Sequence, residues 1–85
     1  MNRDQIINEL TKIFQAVFED DEVELTEETS PDDLPDWRSL EHVRLCIEIG
    51  QRFNIQMKPS QLARMTTVGG FIDLLSDRLS QGSES

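Results

Sequence analysis

Ser39 and His42 are the two side chains whose types and spacing could do chemistry. Three residues apart on a helix, they lie on nearly the same face. A serine hydroxyl beside an imidazole is the beginning of a nucleophile and its base. Such a pair also needs an oxyanion hole facing a pocket, and a chain of 85 residues has little room for one. The G-x-S-x-G turn that presents many nucleophilic serines is absent. The other chemistry open to Ser39 is attachment. It stands where a helix is expected to begin, after the stretch Pro35-Asp36-Trp37-Arg38. There its hydroxyl can act as a plain N-cap. The same place also accommodates a phosphate esterified to that hydroxyl, because a helix start offers unpaired N–H groups and the positive end of the dipole. His42 then reads as an exposed helical histidine.

Metal chemistry finds little support. One cysteine and one histidine exclude a four-ligand zinc site. The acidic run over residues 19–33 lacks a glycine and the D-x-[DN]-x-[DN]-G spacing of a calcium loop. Cys46 falls on the apolar side of its segment and reads as a small buried hydrophobe. No catalytic residue and no metal ion are expected.

The elements that must position Ser39 are helical. Residues 3–18 place Ile6, Ile7, Leu10, Ile13, Phe14, Val17 and Phe18 at steps of three and four, which predicts an amphipathic helix with Asp4 at its positive end. Residues 19–38 hold two prolines and no sustained period. They form a long connection, pinned by Leu25, Leu34 and Trp37. Residues 39–53 predict a second helix, with Leu40, Val43, Ile47 and Phe53 as its buried stripe, widened by Cys46 and Gly50. One helical turn is expected over 60–64, and a last helix over 68–79 capped by Thr67. Gly69 and Gly70 weaken its first turn and suggest close backbone approach. The result is one all-α domain, residues 1–80, with three main helices, one short helix and a long first loop. Residues 81–85 are expected to be a flexible tail.

Charge narrows the class of partner. The chain carries 17 acidic against 8 basic side chains, a formal charge of −9. Binding to phosphate backbones or anionic membrane surfaces is therefore disfavoured, and no nucleic-acid partner is expected. The imbalance lies in residues 1–35, whereas residues 36–85 are neutral. The acidic loop reads as a solvated face, or as a surface that steers a basic partner. Residues 1–10 hold no apolar signal-peptide core, and no window is apolar enough to span a membrane. A cytoplasmic monomer is the expectation.

The run Asp36-Trp37-Arg38-Ser39-Leu40-Glu41-His42-Val43-Arg44-Leu45, followed by Phe53, resembles the phosphopantetheine attachment region of acyl carrier proteins. Met65-Thr66-Thr67-Val68 resembles the start of that family's last helix, and Phe71, Ile72 and Leu75 continue the match. The resemblance implies a small acyl-carrier-like helical bundle. Ser39 would carry 4′-phosphopantetheine taken from coenzyme A, whose thiol holds acyl or aminoacyl groups as thioesters. The protein would be no enzyme. Asp36, Trp37, Arg38, Leu40, Glu41 and Arg44 would form the docking surface, and Val43, Ile47, Met57, Leu62 and Leu75 would line the shelter for the acyl chain. Implied partners are a phosphopantetheinyl transferase and enzymes of the acyl-activating, acyltransferase or ketosynthase type. Two positions depart from the family pattern. Arg38 stands where an aspartate usually precedes the serine, and Arg44 replaces a usual glutamate. Together with Trp37 they suggest a dedicated carrier of a specialised lipid or secondary-metabolite pathway. The alternative is an unmodified, carrier-like adaptor or regulatory subunit that binds a partner through the second helix.

Overall fold

The computed structural model describes residues 2–82 and contains four α-helices among them: α1 (Arg3–Phe18), α2 (Ser39–Phe53), α3 (Pro59–Ala63) and α4 (Val68–Gly82). The limits of α1 and α2 match those expected from periodicity. α4 runs past the predicted end at Leu79 to Gly82, so residues 81 and 82 of the expected tail belong to its last turn. Residues 83–85 of that tail lie outside the described residues.

Local chemistry explains where the helices stop. Asn2 accepts from the Gln5 amide at 2.8 Å, and the Gln5 side chain accepts from the Asn2 amide at 2.9 Å, a reciprocal cap that starts α1. Glu19 and Asn54 end α1 and α2 in the left-handed conformation, with φ of 53° and 56°. Asn is well suited to that region; Glu is not.

α1 packs against α2 and α4, and α3 packs against α2. Ile6, Leu10 and Phe14 of α1 meet Leu45 and Ile49 of α2, Leu62 of α3, and Val68, Ile72 and Leu75 of α4 in one core. The long connection is pinned as expected by Leu25, Leu34 and Trp37, and also by Val23. It contains a 3-10 turn over Pro31–Asp33, with Asp33 accepting from the Ser30 amide at 3.0 Å. Its middle bonds to the start of α4: Val68 N–H donates to Thr29 O and Gly69 N–H to Glu27 O, both at 2.8 Å. Arg3 fastens the same region by pairing with both Glu27 and Asp73. The hydrogen bond from Arg3 holds the Glu27 carboxyl below the usual carboxylate range.

The two glycines in the first turn of α4, Gly69 and Gly70, have different reasons. A Cβ on Gly69 would meet the Glu27 carbonyl oxygen at 3.0 Å, whereas one on Gly70 would find its nearest neighbour, Thr67 Oγ1, at 3.7 Å. Close approach thus explains Gly69 alone. Gly70→Ala is expected to raise stability by about 0.5–1 kcal/mol through helix propensity. Gly69→Ala is expected to lower it by about 1 kcal/mol, because the crowding outweighs the same gain. Thermal unfolding of the two variants side by side checks the opposite signs.

Candidate functional site

Ser39 is the first residue of α2, not its N-cap. Arg38 holds the capping position, with the extended backbone that position requires (φ −111°, ψ −179°). An arginine has no acceptor to offer, and the first turn of α2 receives no side-chain cap. The helix is closed at this end only by backbone, with His42 N–H donating to Arg38 O at 2.9 Å. Ser39 is exposed, and its hydroxyl makes no hydrogen bond among the described residues. The expected N-cap role is therefore corrected. The hydroxyl is left free, beside a positive helix end that lacks any internal acceptor.

His42 is not the exposed histidine expected. It is half-buried, and both ring nitrogens are engaged. Trp37 Nε1–H donates to Nδ1 at 3.2 Å, and Nε2 lies 2.9 Å from the Pro59 carbonyl. Since a carbonyl only accepts and an indole N–H only donates, this geometry assigns the neutral form with the proton on Nε2. Neither nitrogen can take a proton from Ser39, so the nucleophile–base pair does not exist here. His42 instead ties the end of the loop to the start of α3. Trp37 is the lid the sequence suggests: it packs edge-to-face on Phe14 and Phe18 at centroid distances of 5.4 and 6.2 Å. These supports fix the chain two residues before Ser39. Replacing His42 by Ala is expected to cost about 1–2 kcal/mol, because the half-buried indole N–H loses its partner; a lowered melting temperature checks it.

The buried stripe of α2 differs from the expected one. Leu45, Cys46, Ile49 and Phe53 are buried, and burial pushes the Cys46 thiol up. Leu40, Val43 and Ile47 face outward, 65, 45 and 52% exposed. The helix carries two apolar stripes of similar spacing, and packing against α1 selects the one with Leu45 and Ile49. Of the other expected site residues, Asp36, Arg38 and Arg44 are exposed, Trp37 and Glu41 half-buried, and Met57, Leu62 and Leu75 buried. A cleft of about 290 Å³ beside Ser39 is lined by Asp36, Arg38, Glu41 and Arg44, together with Val17, Phe18 and Glu19 from the end of α1. A second, of about 140 Å³, opens between α3 and α4 and is lined by Met65, Phe71 and Leu74 among others. The bridging role of His42 was missed by the sequence reading. The signal was the Trp37–His42 spacing of five residues across a helix start.

Among solved structures, the chain is similar to the solution NMR structure of holo acyl carrier protein from Geobacter metallireducens. The two share 35% sequence identity over 92% of this chain and 90% of that one, with a TM-score of 0.80. The chain belongs to the acyl carrier protein family. No protein-family model and no curated protein sequence matches it. As an acyl carrier protein it is a carrier and not an enzyme, which agrees with a serine that has no base. The all-helical bundle is the acyl carrier protein fold, and no helix among the described residues is long and apolar enough to cross a membrane.

Proposed function

We propose that this acyl carrier protein bears 4′-phosphopantetheine on Ser39 and presents acyl or aminoacyl groups to separate enzymes. The observation that carries the reading is the free, exposed Ser39 hydroxyl at the uncapped start of α2. The residues fit the group. The arm's phosphodiester would meet first-turn N–H donors that no side chain satisfies, and the neighbouring Arg38 adds a positive charge. Attachment forms a bond from Ser39 Oγ to phosphorus and breaks the pyrophosphate linkage of coenzyme A. The serine proton must leave to a base on the transferase, because His42 is committed elsewhere. When bound, the arm supplies a thiol that holds cargo as a thioester.

The chain's own residues supply position and shelter. Trp37, held by Phe14, Phe18 and His42, keeps the root of the arm rigid. The proposed shelter for an acyl chain is confined to Met57, Leu62 and Leu75, which are buried, since Val43 and Ile47 point outward. Docking falls to Leu40, Glu41, Arg44 and their neighbours Asp36, Trp37 and Arg38. Partners are a phosphopantetheinyl transferase and acyl-activating, acyltransferase or ketosynthase-type enzymes. We place the protein in a specialised lipid or secondary-metabolite pathway, on the strength of Trp37, Arg38 and Arg44, and read it as a cytoplasmic monomer.

The test is the intact mass of the protein from its native host. An increase of one phosphopantetheine is the expected result, and any further mass identifies the cargo. Protein that stays unmodified, and also resists a broad-specificity transferase with coenzyme A, favours the adaptor reading. Arg38 is then the residue to revert.

A further inference from the structure

Leu40, Val43 and Ile47 form a stripe that no element of the fold covers. Arg44 lies within it, four residues after Leu40 and three before Ile47, so its side chain shares their face. Its guanidinium has no hydrogen bond or ion pair among the described residues, and neither has that of Arg38. Arg52, on the same helix, is by contrast paired with Glu9 at 3.1 Å. Glu41 and Glu48 are one turn from Arg44 on either side, and neither pairs with it.

We propose that this face docks a partner enzyme whose contacting cleft is apolar and carries a carboxylate opposite Arg44. The proposal rests on the carrier reading of Ser39, which makes docking the purpose of the stripe. The physical reason is desolvation. A partner cannot cover Leu40 and Ile47 without also stripping water from the guanidinium between them, and a buried unpaired charge is costly. A carboxylate removes that cost and matches the planar fork of arginine. A basic cleft meets Arg44 and Arg38 head on. A second copy of the chain is a poor occupant, because two-fold pairing of this face sets Arg44 near its own mate.

The test compares one ketosynthase whose docking rim is basic with a version whose rim lysines and arginines are changed to glutamate. The chain is loaded on Ser39 with a pantetheine analogue ending in a thiol-reactive group, and the rate of crosslinking to each enzyme is measured. Wild type is expected to react about tenfold faster with the acidic rim. Arg44→Ala should flatten the preference and Arg44→Glu reverse it. These outward-facing variants should keep the wild-type circular dichroism. Equal rates, a preference for the basic rim, or a ratio unmoved by Arg44→Glu overturn the proposal. So does a dimer in light scattering that Ile47→Asp dissociates, which assigns the stripe to self-association. Failure of Ser39 to load is seen first in the intact mass and rejects the carrier reading instead. NMR titration of the unloaded chain with the two rims then gives the same comparison without the arm.

Discussion

Ser39→Ala is expected to abolish loading by coenzyme A and a broad-specificity transferase while leaving the fold unchanged. The effect is all-or-none because it removes the proposed attachment atom, Ser39 Oγ. The structural cost should be small, within about 0.5 kcal/mol, as for exposed sites without special contacts. The hydroxyl caps nothing: Arg38 is the N-cap residue, and Ser39 makes no side-chain hydrogen bond. Alanine is also a better helix former than serine at a first-turn position that packs against nothing. The measurement is intact mass before and after the transferase reaction, with melting followed by circular dichroism. A variant that still gains one phosphopantetheine moves the attachment point to another hydroxyl, and Ser60, at the start of α3, is the next to replace.

Phe14→Ala carries the largest expected cost in stability, about 3–5 kcal/mol. Phe14 is 1% exposed and is among the largest fully buried side chains. It also holds two aromatic neighbours edge-to-face, Phe18 at 5.7 Å and Trp37 at 5.4 Å. Each such pair adds about 0.5–1.5 kcal/mol beyond burial. A domain of this size has about 5–15 kcal/mol in total, so the variant should lie close to its unfolding threshold. Chemical denaturation checks this through a midpoint shifted to much lower denaturant. Loss of Phe14 also loosens the lid before Ser39, so loading should slow under conditions where most molecules are still folded. A midpoint near that of wild type would show that Trp37 and Phe18 repack into the space.

The helix limits were legible because two signals agreed. Residues 3–18 and 39–53 carry unbroken three-and-four spacing, and turn chemistry lies on both sides. The buried face of α2 was legible only in part: Cys46 and Phe53 are buried as expected, whereas Leu40, Val43 and Ile47 are not. Leu40, Val43 and Ile47 repeat as well as Leu45, Ile49 and Phe53 do, and hydropathy cannot say which stripe meets α1. The error was informative, since apolar residues with helical period that the core leaves out are the surface a partner can cover. The limits of α2 were legible, but its N-cap is Arg38 rather than Ser39, one position earlier than local preference suggests, because serine is a common N-cap and arginine a poor one. The pinning of the connection by Val23, and its bonds to α4, needed the third dimension. Their only trace in the sequence is the pair Gly69 and Gly70, which signals close backbone approach but names no partner. The resemblance around Ser39 and Thr66-Thr67-Val68 located the candidate site directly. What remained hidden was that His42 faces Trp37 and Pro59 rather than solvent.

Trp37 also makes the molecule its own optical reporter. It is the single tryptophan, and the sequence has no tyrosine, so near-ultraviolet emission comes almost wholly from this one side chain. The indole touches α1 through Phe14 and Phe18 and α2 through His42, two residues from the proposed attachment point. Emission therefore responds to separation of α1 from α2 and to changes at the root of the arm. The unlabelled protein alone, before and after loading, can therefore be followed as it unfolds.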